Sequence, residues 1–366
     1  MEKISVIGAG TMGAAIAALF ANADYDVVLV DTSEEALEKA RKRHMVECIE
    51  ELERAGLRKR EEIVSKIRYT TSIEKIGGSE FVIESVNERL DVKIRLFKNL
   101  ENIVDCHLAT NTSSFKPSEI ALHLKNPERL TLFHFSNPPI LMPLVEVGGE
   151  LASEETIERA VELARSIGKR PVVLRKECRG HVLNRILGAA GAAAGYCLFY
   201  NTPEEIDAAI KNLGNPLGFF ETIDLIGLDV VLDVLESFSE AYGRKFAGPK
   251  GMNFFLRKML EWGKLGKKAG EGFYRWKNGK ADIPPAEPGD IMPLIAAIVN
   301  EAFKIVEDGI ADRETVNEVY KLATNSALGA FDIAEMIGRE NILKTLDEAY
   351  RRIRLEVFNA AESMRD

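Results

Sequence analysis

The first half of the chain alternates short apolar runs with amphipathic stretches. The β-prone runs are 4–7, 27–30, 66–70, 81–86, 108–110, 130–135, 144–147 and 171–174, and the helical stretches include 91–103, 117–124 and 153–167. Short apolar runs separated by helices are typical of strands buried on both faces of a sheet. The pattern therefore predicts a doubly wound, mostly parallel sheet, with antiparallel pairing expected only late in the domain.

The second half of the chain is helical throughout. It begins with a long apolar helix at 182–199, which carries Asn184 and Arg185. An internal repeat follows, because 202–231 lines up with 312–341. Each copy would have an apolar face that it cannot bury alone, so we expect the two copies to pack on each other.

These patterns predict an α/β plus all-α fold, in which a Rossmann-like doubly wound sheet precedes a duplicated helical domain. The predicted boundaries are 1–178 for the sheet domain with a charged helical arm at about 33–67, 179–280 for the first helical copy, 281–290 for a linker and 291–366 for the second copy. The linker is assigned from its composition, which is rich in proline.

Composition narrows the class of protein. The chain has 366 residues, 46% hydrophobic and 29% charged, which suits a globular protein of two or three domains. Its net charge of −9 provides no basic field for a nucleic-acid partner. Four cysteines without a C-x-x-C pair predict reduced thiols and no metal site. The most apolar run, 186–200, is short for a bilayer span, and the first strand leaves no room for a signal peptide, so we expect a cytoplasmic protein without a membrane partner.

A glycine-rich turn follows the first strand. Gly8, Gly10 and Gly13 form G-x-G-x-x-G between a strand and an Ala-rich helix, and Asp31 ends the next strand. In this context the first glycine makes the tight turn, the second lets a pyrophosphate approach, and the third lets the helix pack closely. An acidic residue at this position binds the ribose and repels a 2′-phosphate, which favours NAD over NADP. We assign cofactor binding to Gly8, Gly10, Thr11, Met12, Gly13 and Asp31.

Clusters of polar residues lie at the carboxyl ends of three later predicted strands. They are 84–88 with Lys93 beyond it, 111–114, and 134–137. Each could be an ordinary helix cap, turn or loop. However, ligands of doubly wound sheets lie beyond the carboxyl ends of the strands, and three clusters in succession at that edge favour a binding site.

His134 and Glu146 lie in two β-prone runs on either side of a turn-rich segment. If the runs fold back about Ile140, the two residues are equidistant from the turn and lie on neighbouring strands. A carboxylate that holds an imidazole fixes its tautomer and stabilises the imidazolium, which makes a general base near neutral pH. The alternative is a structural histidine with an exposed edge carboxylate.

With these features together, the chain resembles the 3-hydroxyacyl-CoA dehydrogenases. The matching motifs, in order, are VIGAGTMGAAIA, VLVD, FVIESVNERLDVK, TNTSSF, FHFSNPPILMPLVEV, the helix with Leu183-Asn184-Arg185, IDLIGLD and GKKAGEGFY. They cover most of the chain, and their order and spacing fit the family.

The resemblance implies a role for each matching residue. His134 would be the general base, Glu146 would orient it, and Ser113 and Asn184 would bind the oxygen atoms of the substrate. Glu88, Lys93, Asn137 and Lys268 would contact NAD in addition to the residues of the glycine turn. The charged arm contacts CoA in this family, which makes Arg54 a candidate for binding a CoA phosphate or ribose.

The chain departs from the family pattern in two places. Cys178-Arg179-Gly180-His181 replaces the Thr-Pro-Gly-Phe run that usually precedes the asparagine helix. Gly218-Phe219 replaces a Gly-Pro pair after the LGNP-like turn. The first departure would reshape the pocket wall near Asn184.

The resemblance implies NAD-dependent, reversible oxidation of an L-3-hydroxyacyl-CoA to the 3-ketoacyl-CoA. An alternative is the same chemistry on a free hydroxy acid, such as a sugar acid, as in the crystallin-like branch of the superfamily. A third hypothesis is an NAD-binding structural protein that has lost activity. Since single-copy relatives dimerise through the helical domain, the second copy here would serve as an internal pseudo-dimer partner, and we expect a monomer or weak homodimer.

Overall fold

In the computed structural model, which describes residues 2–45, 60–246 and 252–365, the chain divides after His181 into two compact units, Met1–His181 and Val182–Asp366. None of the helices in the described part of the chain combines the length and apolarity that a bilayer crossing requires.

The first unit is built on one sheet. Its strands are β1 Lys3–Ile7, β2 Asp26–Val30, β3 Ile67–Thr70, β4 Phe81–Glu84, β5 His107–Thr110, β6 Leu130–Phe135, β7 Leu144–Gly148 and β8 Arg170–Val173. Their order is β3-β2-β1-β4-β5-β6-β7-β8, and all pairs are parallel except β6 with β7. The predicted doubly wound sheet with late antiparallel pairing is confirmed. The carboxyl ends of β1, β4, β5 and β6 therefore meet at one edge.

Helices cover both faces of this sheet. They are α1 Thr11–Asn22, α2 Glu34–Met45, α3 Arg60–Ser65, α4 Leu90–Leu100, α5 Pro117–Ala121 and α6 Glu154–Ser166. On one face Phe20 of α1 joins Phe81 and Phe133 of the sheet in a buried cluster. On the other face Phe97 of α4 packs with Leu108 of β5. Burial of these aromatic and aliphatic side chains is the main force that holds the layers together.

Helices α2 and α3 are the described ends of the predicted arm. His44 of α2 is fully buried, donates from Nε2 to the carbonyl oxygen of Ala14 at 2.6 Å, and accepts at Nδ1 from the Tyr69 hydroxyl at 2.7 Å. Burial lowers the pKa of His44, so the ring is neutral as both bonds require. Arg54, the candidate CoA ligand, lies outside the described residues.

The second unit is helical. Its helices are α7 Leu183–Cys197, α8 Pro203–Asn212, α9 Phe219–Ile226, α10 Leu228–Tyr242, α11 Met252–Glu261, α12 Met292–Glu307, α13 Arg313–Thr324, α14 Ala330–Ile337 and α15 Arg339–Ile353. A short hairpin joins β9 Arg275–Lys277 to β10 Lys280–Asp282. The hairpin includes the first residues of the predicted linker. The Asn-Gly pair between the two strands favours a tight hairpin turn, although the segment has the composition of a loop.

Glycines separate two consecutive helices in each copy of the repeat. Gly227 has φ +106° and separates α9 from α10, and Gly338 has φ +88° and separates α14 from α15 in the same way. A backbone conformation that only glycine adopts easily therefore ends the helix, although the apolar periodicity continues across it.

The two copies share their capping geometry. A Cβ on Gly218 would lie 2.1 Å from the side chain of Asp207, and one on Gly329 would lie 2.2 Å from that of Asn317. Each of these side chains accepts a 2.8 Å hydrogen bond from the first turn of the next helix, α9 or α14. The repeated close approach of glycine to a capping side chain shows that the sequence repeat is also a structural one.

A buried ion network joins the copies. Arg185 of α7 and Glu301 of α12 are each 1% exposed, and an Arg185 guanidinium nitrogen lies 2.5 Å from Glu301 Oε1. Lys245 contacts the same carboxylate at 2.8 Å, and Arg185 also contacts Asp308 at 2.9 Å. Arg185 therefore has the partners that a buried guanidinium needs, and they come from the second copy.

We expect Glu301→Gln to lower the free energy of unfolding by about 3–5 kcal/mol, because it leaves Arg185 and Lys245 buried with too little negative charge. The control is Glu236→Gln, which breaks the exposed pair with Arg257 and should cost at most about 1 kcal/mol. Urea unfolding measures both. Equal losses for the two variants would contradict the importance of the buried network.

Candidate functional site

The three glycines of the turn at the end of β1 have different steric surroundings. A Cβ on Gly8, which has φ +106°, would lie 2.3 Å from the Ser85 carbonyl oxygen, and one on Gly13 would lie 1.9 Å from the Gly8 carbonyl oxygen. A Cβ on Gly10 would meet nothing within 4 Å. Gly8 and Gly13 are therefore required by close approaches within the protein, whereas Gly10 borders open space at the start of α1.

The start of α1 suits a phosphate group. Gly10 is the N-cap residue, and no described side chain caps the helix. The first-turn N–H groups and the positive end of the helix dipole therefore face a cleft of about 540 Å³. The cleft is lined by Gly10 and Thr11 on one side and by Lys39, Lys42 and Arg43 of α2 on the other. An open N-terminus beside three cations fits the pyrophosphate of a dinucleotide.

Asp31 is held beside this turn. Its Oδ2 accepts from the Ala9 N–H at 2.8 Å and its Oδ1 accepts from the Ser33 N–H at 2.9 Å. Two backbone donors fix the carboxylate at the end of β2, next to the cleft, where a ribose of the dinucleotide would bind.

Two carboxylates and a lysine connect the ends of β4 and β5. Glu84 is fully buried and accepts from Thr110 Oγ1 at 2.7 Å and from Lys93 Nζ at 2.6 Å. Lys93 Nζ also lies 3.1 Å from Glu88 Oε2. Burial lowers the pKa of Lys93, but attraction to Glu84 and Glu88 outweighs that effect and raises the pKa above its ordinary value. Lys93 is thus a buried ammonium that positions Glu88.

Glu88 holds the turn that carries Ser113. Its Oε1 accepts from the N–H groups of Ser113 and Ser114 at 2.9 Å each, and from the hydroxyl of Thr112. Burial opposes ionisation of Glu88, but Lys93 and these donors lower its pKa below the ordinary value, so it is a carboxylate. The backbone of the predicted substrate residue is therefore anchored to the predicted cofactor residue.

His134 and Glu146 face each other across the β6–β7 ladder. They are paired residues in the antiparallel register, as the symmetry about Ile140 predicts. His134 Nδ1 lies 2.8 Å from Glu146 Oε2, and the side chains are 7% and 0% exposed. A carboxylate only accepts, so Nδ1 carries a proton, and in the neutral form of the ring Nε2 is the nitrogen with the free electron pair. The ring therefore has the tautomer that a base acting through Nε2 needs.

Two further side chains complete this edge. His181 is 1% exposed, its ring centroid is 5.1 Å from that of His134, and its Nε2 lies 2.9 Å from the Thr112 carbonyl oxygen. Ser136 is 5% exposed, and its hydroxyl has no hydrogen-bond partner among the described residues. A buried hydroxyl without a partner, two residues beyond His134, fits a site in which a cofactor or substrate supplies that partner.

Sequence reasoning recognised the clusters that contain these residues, but not their contacts. The departure from the family pattern marked His181, yet nothing in the local pattern indicated that its ring touches His134. The Glu84–Lys93 bond likewise joins a strand to the following helix and has no periodicity of its own.

The other predicted residues lie in a turn of the first unit and in the second unit. Asn137 is exposed in the turn between β6 and β7. Asn184, at the start of α7, and Lys268 belong to the second unit, where Lys268 Nζ lies 2.6 Å from Asp229 Oδ1. The contacts of these residues with a cofactor or substrate stay predictions.

Comparison with known families decides the class of protein. Residues 3–178 match the model described as 3-hydroxyacyl-CoA dehydrogenase, NAD binding domain, and residues 180–276 and 293–364 match the C-terminal domain of the same family. The chain belongs to the 3-hydroxyacyl-CoA dehydrogenase family. The predictions of an oxidoreductase of this family and of NAD as its cofactor are thereby confirmed.

Individual 3-hydroxyacyl-CoA dehydrogenases support the assignment. The chain is 35% identical over 285 residues to a probable 3-hydroxybutyryl-CoA dehydrogenase of Bacillus subtilis (strain 168), which covers 76% of this chain and 98% of the relative. It is 36% identical over 287 residues to a 3-hydroxyadipyl-CoA dehydrogenase of Escherichia coli (strain K12), covering 76% and 59% respectively. A crystal structure of 3-hydroxybutyryl-CoA dehydrogenase from Escherichia coli K12 covers 100% of this chain and 97% of its own, with 26% identity and a TM-score of 0.87.

Substitution of two glycines by alanine should separate effects on NADH binding from effects on folding. We expect Gly10→Ala to melt like the wild type but to bind NADH about tenfold more weakly or worse, because its methyl group enters the space for the phosphates. Gly13→Ala should unfold several degrees lower, since the methyl group collides with the Gly8 carbonyl. Thermal melts and NADH fluorescence titration measure both. Wild-type NADH affinity in Gly10→Ala would contradict this phosphate site.

Proposed function

We propose that this dehydrogenase oxidises an L-3-hydroxyacyl-CoA to the 3-ketoacyl-CoA with NAD, reversibly, and that His134 and Glu146 are its base pair. The observation that carries the proposal is the buried bond between His134 Nδ1 and Glu146 Oε2. This bond leaves Nε2 as the basic atom at the sheet edge that also holds the glycine turn and the Ser113 turn.

The proton and the hydride of the substrate would go to different acceptors. NAD, when bound, would supply the nicotinamide that accepts the hydride from C3, and His134 Nε2 would take the proton of the C3 hydroxyl. The C3–O bond becomes a carbonyl, and the imidazolium that forms is stabilised by the Glu146 carboxylate. In reduction the imidazolium returns the proton to the carbonyl oxygen.

The remaining residues are proposed to bind the substrate or the cofactor, or to hold the residues that do so. Ser113 donates to the substrate oxygen from a turn that Glu88 anchors, and Asn184 is proposed to bind a second substrate oxygen. Lys93 acts on the cofactor site through Glu88, because its ammonium is already shared between two carboxylates. Asn137 and Lys268 are proposed to contact NAD from the β6–β7 turn and the second unit.

The substrate class is proposed from the relatives, whose names specify acyl-CoA substrates of different chains, 3-hydroxybutyryl-CoA and 3-hydroxyadipyl-CoA. Arg54 of the arm is a candidate for binding a phosphate or ribose of CoA. NADH oxidation with acetoacetyl-CoA, compared with free acetoacetate and a keto sugar acid, tests this class. Turnover of a free acid without turnover of acetoacetyl-CoA would favour the crystallin-like alternative.

Substitution of the base pair tests the mechanism. We expect His134→Gln to lower kcat for acetoacetyl-CoA reduction about a thousandfold and Glu146→Gln about a hundredfold, with NADH affinity unchanged, because proton transfer fails while the cofactor site is intact. The control is His123→Gln, which changes an exposed histidine and should keep wild-type kcat. Unchanged kcat in His134→Gln would exclude it as the base.

We also propose that the enzyme acts in the cytoplasm, where the described cysteines Cys106, Cys178 and Cys197 stay reduced. The second helical copy is proposed to replace a partner subunit, since it supplies Glu301 and Asp308 to the buried Arg185 of the first copy.

Sedimentation velocity tests this internal pseudo-dimer. We expect a species of 40.6 kDa at micromolar concentration, because in this proposal the second copy would cover the surface of the first copy that a partner subunit would otherwise bind. A tight dimer that forms through helices of the first copy would refute the proposal.

A further inference from the structure

The last residues of the first unit contact the stretch that contains Ser113 at three places. We call residues 177–181 the clamp segment. The Glu177 carboxylate accepts from the N–H of Ser118 at 3.2 Å and from its hydroxyl. The Arg179 guanidinium lies 2.5 Å from Glu119 Oε1. His181 Nε2 lies 2.9 Å from the Thr112 carbonyl oxygen. The clamp segment thus holds both ends of the stretch from 112 to 119.

His181 is the member of the clamp segment that also reaches the proposed base. Its ring lies against that of His134, with centroids 5.1 Å apart and planes inclined by 49°. The backbone takes a left-handed conformation to place it there, with φ +53° at His181 after φ +78° at Gly180. Such a conformation is unfavourable for most side chains and persists where the surroundings require it.

The hydrogen bond defines the state of the ring. A carbonyl oxygen only accepts, so Nε2 of His181 carries the proton and donates it to Thr112. Burial, together with the neighbouring His134, lowers the pKa of His181 to about 4, so the ring is neutral near pH 7. His134 therefore has a neutral donor beside it, and no second positive charge opposes formation of its imidazolium.

We propose that His181 is a positioning residue, whose bond to the Thr112 carbonyl and contact with His134 set the separation of Ser113 from the base. The inference rests on the proposed function. The substrate oxygen must meet Ser113 and His134 Nε2 at once, and His181 is the side chain that touches both the residue before Ser113 and the base. Loss of the bond should therefore lower kcat more than it changes binding.

Three variants of His181 distinguish the effect of its N–H donor from the effects of its ring and of its left-handed backbone conformation. His181→Phe keeps a ring but loses the donor. His181→Asn tolerates the left-handed backbone but is too short to place a donor at the Nε2 position. His181→Gln has an amide nitrogen that can occupy that position. His107→Phe is the control, because it breaks the bond to Thr156 at the start of β5, the end of the strand remote from Ser113.

We expect His181→Phe and His181→Asn to lower kcat for acetoacetyl-CoA reduction about tenfold, with KM and NADH affinity within about threefold of wild type. His181→Gln should recover kcat to within about threefold of wild type, and His107→Phe should retain it. If His181→Phe fails to fold, His181→Asn carries the same comparison.

Two results would overturn the inference while the proposed function stands. These are wild-type kcat in both variants that lack the donor, or a loss in His181→Gln equal to theirs. Absence of acetoacetyl-CoA reduction by the wild type would instead refute the proposed function and this inference with it.

Discussion

The antiparallel pairing of β6 with β7 is the constraint on which the site depends. It places His134 opposite Glu146 inside the sheet, where the carboxylate has no exposure and its bond to Nδ1 is shielded from water. A shift of one residue in this register would turn one of the two side chains to the opposite face of the sheet. The tautomer of the imidazole, and with it the basic Nε2, therefore follows from strand register.

Buried charged residues connect the ends of the neighbouring strands β4 and β5 to the rest of the site. Lys93 joins Glu84 at the end of β4 to Glu88, and Glu88 in turn holds the N–H groups of the Ser113 turn. Removal of Lys93 would be costly, because it would leave two carboxylates close together without a counter-charge. The loop that carries Glu88 and the turn that carries Ser113 are thus parts of one polar network, to which the clamp segment adds a second attachment.

Local patterns in the sequence predicted the parts of this site that depend on nearby residues. The glycine turn, the strands and the pairing of His134 with Glu146 follow from spacing over a few residues around Gly8 and Ile140. Contacts between distant elements were not predicted, such as His181 with Thr112, because periodicity does not record which loops meet. The break at Gly227 does not follow from the apolar pattern either, because the pattern is helical on both sides and only the positive φ interrupts it.

Direct hydride transfer between the nicotinamide and C3 of an acyl-CoA is the reaction that we propose for this enzyme. The most direct measurement uses NADH deuterated at both hydrogens of nicotinamide C4, acetoacetyl-CoA and the purified enzyme, with mass spectrometry of the 3-hydroxybutyryl-CoA formed. We expect one deuterium per product molecule, located on C3, when the reaction runs in ordinary water. Product without deuterium on C3, or no product from an enzyme that binds NADH, would contradict it.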